Sequence, residues 1–421
     1  MYMNSKIFPL SRDQLERIAE QYPTPFYLYD ESGIRNKART INAAFSRFPD
    51  FMEHFAVKAL PNPVILKILA SEGCGADCSS LPELILADTS GIRREKIMFS
   101  SNQTPASEYQ AAQELGAVIN LDDESHIDFL EEAAGIPDRI SCRYNPGPLK
   151  AGNLIIGKPE EAKYGFTRDQ ILSGFVRLAE KGVHHFGLHT MVASNELNPE
   201  YHVETARILF ECAVEILEKT GIRLEFINLG GGLGIPYRPE QQAIDFEKLA
   251  AGIHAVYNEI LVPAGLAPMG IHSEWGRAVT GPHGWLVTRA VHHKNIYRKY
   301  IGVDACMADL MRPGLYGAYH HITIAGKEDS PATETYDIVG SLCENNDKFA
   351  VQRQLPQIDR GDFVIIHDAG AHGRAMGFNY NGKLRCGELL LRPDGSILQI
   401  RRPETIADYF GTLLGVLPAF K

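Results

Sequence analysis

Apolar residues follow two alternating rhythms between about residues 51 and 274. Short runs of β-prone residues occupy 52–58, 75–78, 97–100, 117–120, 139–143, 184–189, 224–229 and 269–274. Amphipathic stretches separate them at 64–72, 81–89, 107–115, 125–134, 168–181, 201–220 and 246–261. Within 201–220, Leu209, Cys212, Ala213, Ile216 and Leu217 recur at the period of a helix with one buried face. Eight strands with helices between them predict a (β/α)8 barrel of the TIM type, with a doubly wound sheet as the competing arrangement.

The texture changes after Arg277. Strand-like runs at 287–292, 300–304, 333–339, 363–367, 388–391 and 397–401 are joined by turns such as Arg360-Gly361-Asp362 and Pro393-Asp394-Gly395-Ser396. This region reads as an all-β domain, a β-sandwich or Greek-key β-barrel, with a last helix at 405–414. A strand at 25–29 precedes the barrel and is expected to pair with the β region. The expected division is a barrel at 30–285 and a β domain made of 1–29 and 286–421.

Composition narrows the class. A length of 421 residues exceeds one ordinary domain and suits this division. Hydrophobic content of 44% and charged content of 22% are those of a soluble globular chain. The formal charge of −10 argues against nucleic acid or an anionic membrane as partner. No apolar run approaches the roughly 18 to 20 residues that span a bilayer. The opening residues Met1-Tyr2-Met3-Asn4-Ser5-Lys6-Ile7 lack the apolar centre of a signal peptide, so a cytoplasmic protein is expected. The 7 cysteines form neither a disulfide framework nor a zinc pattern, and all but Cys343 read as small core residues.

Chemically capable residues collect at the predicted strand ends. Lys58 ends the first strand, Asp77 the second and Arg143 the fifth. His189 and the run to Ser194 end the sixth; Gly230-Gly231-Gly232-Leu233-Gly234 follows the seventh; Glu274-Trp275-Gly276-Arg277 follows the eighth. In a barrel these ends share one face, the face that carries active sites. A lysine delivered there by a buried strand, if desolvated, has its pKa pushed down and can attack a carbonyl; a solvated strand-end lysine is the plain alternative. Consecutive glycine N–H groups can close on a phosphate, although a tight βα turn uses the same residues. A dinucleotide fingerprint fails because Ile235 stands where its third glycine belongs. Glu274 and Arg277 read as a surface ion pair in isolation. Beside a phosphate loop, the carboxylate could hold a pyridine nitrogen protonated and make the ring an electron sink.

Together these residues resemble the barrel-type pyridoxal-phosphate decarboxylases, and most closely their diaminopimelate branch, from about residue 25 to 414. Phe55-Ala56-Val57-Lys58-Ala59 resembles the family's Schiff-base lysine segment, and the glycine run its phosphate loop. Glu274-Trp275-Gly276-Arg277 resembles its Glu-Pro-Gly-Arg motif, with Trp for Pro. Asp309-Leu310-Met311-Arg312-Pro313-Gly314-Leu315-Tyr316 resembles the branch's Arg-Pro-x-Leu-Tyr motif, and Gly340-Ser341-Leu342-Cys343-Glu344 its Cys-Glu motif. Asp368-Ala369-Gly370-Ala371 and Asn379-Tyr380-Asn381 resemble its closing motifs. The chain departs at Thr190-Met191-Val192-Ala193-Ser194, where the family has x-His-Ile-Gly-Ser. Met191 takes the ring-stacking position, and His372 stands where tyrosine is common.

The resemblance implies pyridoxal 5'-phosphate as cofactor, carried by Lys58. Around it would stand Asp77, Arg143, His189 and Ser194, the glycines Gly230, Gly231 and Gly232, and Glu274, Gly276, Arg277 and Tyr380. Cys343 would return a proton after CO2 leaves, and Arg277, Arg312, Tyr316, Glu344 and Tyr380 would bind substrate. The implied reaction converts meso-2,6-diaminopimelate to L-lysine. The alternatives are a decarboxylase of ornithine, arginine or lysine, an amino-acid racemase, and a cofactor-carrying regulatory protein without turnover. The family also implies a homodimer in which Cys343 and Glu344 reach the barrel of the partner chain.

Overall fold

Short apolar runs and amphipathic stretches fold as alternating strands and helices. After β1 (Phe26–Asp30) come β2 (Met52–Ala56), β3 (Gly75–Cys78), β4 (Ile97–Ser100), β5 (Val118–Leu121), β6 (Arg139–Arg143), β7 (His185–His189), β8 (Leu224–Asn228) and β9 (Gly270–Ser273). Strands β2 to β9 are parallel and close into a barrel, with β9 pairing back onto β2. The computed structural model describes residues 6–414, which divide into two compact units. The barrel unit comprises residues 32–236 and 240–281.

Helices return the chain between strands, and their ends follow capping chemistry. Asn62 accepts from the N–H of Val64 at 3.0 Å to open Pro63–Ser71, whose first residue needs no N–H partner. Thr167 and Gln170 form a reciprocal capping box on Arg168–Glu180. Pro199–Thr220 ends at Gly221 in the left-handed conformation. A helix absent from the sequence reading, Glu31–Phe45, precedes β2. Its buried residues Ile34, Ala38, Ile41 and Phe45 keep helical spacing beneath a basic outer face.

Alternation along each strand turns one set of side chains into the barrel. Phe226 fills its middle with Met98 and Val118, and stacks on His272 at 4.5 Å between ring centres. Glycine makes the room: a Cβ on Gly187 would lie 2.1 Å from the Phe226 ring. Toward the C-terminal ends the interior becomes polar, with Asp77, Ser100, Asn120, His189, Asn228 and Glu274 all buried.

The second unit contains β1 and the strands after residue 282. These are β10 (Gly284–Asn295), β11 (Lys299–Val303), β12 (Ile322–Ile324), β13 (Glu334–Val339), β14 (Lys348–Leu355), β15 (Phe363–Ile366), β16 (Gly387–Leu391) and β17 (Ile397–Arg401). They form one mixed nine-stranded sheet in the order β14-β13-β11-β10-β1-β16-β17, with β15 pairing β10 and β12. Strand β1 runs antiparallel to β10 and parallel to β16. One face packs Phe26, Leu28, Trp285, Val287, Phe363, Ile365 and Leu389 with Leu10 and with Leu15 of the helix Arg12–Gln21. Strands β12 and β14 have no counterpart in the sequence reading. The first has three residues, and the second carries charges with Gln352 at φ +48°, which breaks its alternation.

Candidate active site

Strand β2 ends at Ala56, and the chain tightens into a 3-10 turn over Val57–Ala59. Val57 and Ala59 are buried, which turns Lys58 the other way. Lys58 thus lies just beyond its strand, not on it, and its side chain is 48% exposed. Its ammonium meets the buried carboxylate of Asp77 at 3.1 Å. That charge raises the lysine's pKa and outweighs the burial that would lower it. The expectation of a lysine depressed by desolvation is corrected here: a carboxylate pairs with the ammonium, and half the side chain remains open. Burial pushes the Asp77 carboxyl up, as does the nearby Glu274, against the pull of Lys58.

Glu274 follows β9 and turns inward. One oxygen lies 3.1 Å from Nε2 of His189, and the other accepts from the Asn228 amide at 2.8 Å. Burial raises the Glu274 pKa, but the charge and hydrogen bond of His189, with Lys58 beyond, hold the carboxyl well below its ordinary range. Asn228 also accepts from the N–H of Gly230 at 2.9 Å, so it couples Glu274 to the glycine loop. Sequence reasoning passed over Asn228. Its signal was a polar residue two positions after the inward Phe226 and two before the first glycine of the run.

The loop itself is tightly seated. A Cβ on Gly230, at φ +70°, would lie 1.9 Å from the Thr190 carbonyl oxygen. On Gly231 it would lie 2.8 Å from the Glu274 carbonyl oxygen and 3.6 Å from the Met191 sulfur. On Gly232 it would meet Ala193 at 2.6 Å. The glycines are therefore required by the loop's own packing. Ser194 lies on the adjoining segment, its N–H bonded to Asn153. Arg143 ends β6 buried, with its guanidinium paired to Asp122 at 2.7 Å and bonded to Asn102. Gly276 and Arg277 open the short helix Gly276–Thr280. Trp275 is buried against Phe45, at 5.0 Å between ring centres, and near Phe51 and Phe246.

The remaining predicted residues belong to the β unit. Arg312 is buried; its guanidinium bonds the Tyr237 hydroxyl at 2.8 Å and His320 at 2.9 Å. Tyr316 is 65% exposed at the end of the helix Arg312–Tyr316. Cys343 is exposed, whereas the other six cysteines are buried. Its N–H bonds the side chain of Asn381 at 2.8 Å, next to Tyr380, which is 55% exposed. Glu344 bonds the N–H of Asn346. The predicted residues thus form two groups, one at the barrel mouth and one on the β unit.

A model of the pyridoxal-dependent decarboxylases, covering their pyridoxal-binding domain, matches residues 32–281. The chain belongs to this family. It is 42% identical to Protein TabA of Pseudomonas amygdali pv. tabaci, over 97% of this chain and 94% of that one. It is 36% identical to the diaminopimelate decarboxylase of Methanothermobacter thermautotrophicus, over 93% of this chain and 92% of the relative. The crystal structure of Methanocaldococcus jannaschii diaminopimelate decarboxylase in complex with L-lysine superposes with a TM-score of 0.89. That match covers 99% of both chains at 29% identity.

Decarboxylases of this family use pyridoxal phosphate, and the barrel mouth fits such a group. Asp77 Oδ1, Asn120 Oδ1, Ser141 Oγ and His189 Nδ1 are buried in the barrel without a partner among the described residues. No protein group among those residues accepts from the N–H of Gly231 or Gly232. A half-exposed lysine, a buried carboxylate and a glycine loop with free donors match the aldehyde, ring nitrogen and phosphate of the cofactor. No helix among the described residues is long and apolar enough to cross a membrane.

Proposed function

We propose that this decarboxylase acts on meso-2,6-diaminopimelate and releases CO2 and L-lysine. The observation that carries the reading is its 36% identity, across 93% of the chain, to a diaminopimelate decarboxylase. The L-lysine bound in the related crystal structures supports it. Arg312 favours it further, because a second carboxylate is what separates this substrate from ornithine, arginine and lysine.

Lys58 holds the cofactor, and Asp77 is placed to take up the proton its ammonium must lose. Gly230, Gly231 and Gly232 receive the phosphate with Arg277, and Gly276 lets that corner pack closely. Arg143 and Ser194 border the same mouth. Met191, beside Gly231, supplies an apolar thioether where the family has an imidazole. Glu274, kept ionised by His189, holds a proton on the ring nitrogen. When bound, pyridoxal phosphate supplies the electron sink that stabilises the pair left behind by CO2. Cys343 delivers a proton to the carbon that has lost CO2 and regains one from solvent. Arg312, Tyr316, Glu344 and Tyr380 grip the distal amino-carboxylate end.

The exposure of Cys343, Tyr316 and Tyr380 suits residues that serve the barrel of a second copy, and we infer a homodimer with shared sites. The deciding assay offers the holoenzyme meso-diaminopimelate, ornithine, arginine and lysine separately and follows CO2. Release from another of these and none from diaminopimelate overturns the substrate. Full activity from a monomer at assay concentration overturns the shared site.

A further inference from the structure

Behind Glu274, on the outer side of the barrel wall, a second carboxyl group is buried with no part in the mechanism above. Glu53 on β2 is 1% exposed. Its Oε1 accepts from the N–H of Trp275 at 2.7 Å, and its other oxygen is hydrogen-bonded to the Ser273 hydroxyl. Ser273 and Trp275 are the two neighbours of Glu274 in the chain. Glu53 therefore holds both neighbours of the carboxylate that faces into the mouth, Trp275 by its backbone N–H and Ser273 by its hydroxyl.

Its position at the barrel seam gives this grip leverage. Strands β2 and β9 pair at Met52↔His272 and Glu53↔Ser273, and the ladder stops there. Between β6 and β7, by contrast, pairing continues to Arg143↔His189 at the strand ends. The Glu53 side chain extends the seam past its last backbone pair, to Trp275. One residue on, Gly276 meets the Lys58 turn: a Cβ there would lie 2.8 Å from that of Ala59. The Lys58-bearing and Glu274-bearing corners are thus joined at two successive points.

Tryptophan explains why an acceptor is needed. In the related Glu-Pro-Gly-Arg motif the residue after glutamate is proline, which has no N–H. Trp275 introduces a buried N–H, which would be destabilising without a partner. Burial pushes the Glu53 carboxyl up to about 8, despite the hydrogen bonds from Ser273 and Trp275, and the negative Glu274 and Asp77 push it the same way. A neutral carboxyl can accept from Trp275 with one oxygen and share its proton with the Ser273 hydroxyl through the other.

We propose that Glu53 is a positioning residue that clamps Ser273 and Trp275, so that Glu274 between them is held in register with Lys58. The inference rests on the reading of Glu274 as the cofactor-facing carboxylate. Glu53→Gln preserves both bonds, since its carbonyl accepts from Trp275 and its NH2 donates to Ser273; Glu53→Leu removes both. The two variants and Glu274→Gln are compared as holoenzymes for kcat and KM. Apoprotein affinity for added pyridoxal phosphate and amide exchange over residues 273–277 complete the comparison. Glu53→Leu should exchange faster across 273–277, bind the cofactor more weakly and lose about 100-fold in kcat, as misplacement of a catalytic group does. Glu53→Gln should restore all three. Unchanged exchange or unchanged kcat in Glu53→Leu overturns the proposal, as does Glu53→Gln behaving like Glu53→Leu. Should Glu53→Leu fail to fold, Glu53→Asp replaces it: one methylene shorter, it cannot reach both the Trp275 N–H and the Ser273 hydroxyl, and wild-type exchange in it overturns the clamp. Wild-type kcat and cofactor affinity in Glu274→Gln would instead sink the reading of Glu274, while exchange in the Glu53 variants still reports on the clamp.

Discussion

Asn228→Asp tests the electrostatics of the barrel mouth with an almost isosteric change. The N–H of Gly230 fixes the amide, because it must face the oxygen at 2.9 Å; the NH2 therefore faces Glu274 at 2.8 Å. The substitution sets a second carboxylate oxygen against the first. Two unit charges 4 Å apart repel by about 4 kcal/mol at an effective dielectric of 20. Escape by taking up a proton costs about 1.4 kcal/mol for each pH unit above the carboxyl's pKa, or about 4 kcal/mol at pH 7 for a group near 4. Either route gives about 4 kcal/mol. A shared proton also weakens the charge Glu274 presents, so kcat should fall. The pair's folded pKa is raised above its unfolded value. Stability is then present at low pH and is lost as pH rises from about 4 toward the folded pKa. The melting deficit against wild type should reach about 5–8 °C at pH 7 and shrink to about 2 °C at pH 5. Thermal melts of both proteins across that range supply the check. A deficit that is absent, or equal at pH 5 and pH 7, refutes the reasoning.

Other substitutions probe separate parts of the molecule. Asp77→Asn removes the charge that raises Lys58; amine labelling of the apoprotein should reach half-completion at a lower pH than in wild type. Lys58→Ala should leave no cofactor mass on the peptide spanning residue 58 after borohydride reduction, whereas wild type retains it. Trp275→Ala empties a pocket among Phe45, Phe51 and Phe246 and should cost about 3–5 kcal/mol in denaturant melts. Gly187→Ala forces a methyl into the Phe226 ring and should cost about 1–3 kcal/mol or more. Adding Phe226→Leu should recover part of that loss; an additive double variant would show that the two residues do not share the space.

The amino-acid sequence by itself determined the barrel strands, because parallel strands buried on both faces are short apolar runs between amphipathic helices. It also determined which strand ends carry Lys58, Asp77, His189, the glycines and Glu274, since local order alone assigns a residue to an end. β12 and β14 escaped it, one too short and the other kinked at Gln352. The pairings at the site were decided by tertiary structure alone. Glu274 meets His189 and Asn228 because β7, β8 and β9 run side by side in register, although 85 and 46 residues separate the partners. Glu53 reaches Trp275 because the barrel closes β9 onto β2, across 222 residues. The ionisation of Lys58 followed the same rule, set by a carboxylate on the neighbouring strand and by how far the turn lifts the side chain. Hydrophobic period is a local property of the chain. Charge and hydrogen bonding depend on distance, and closing the barrel sets those distances.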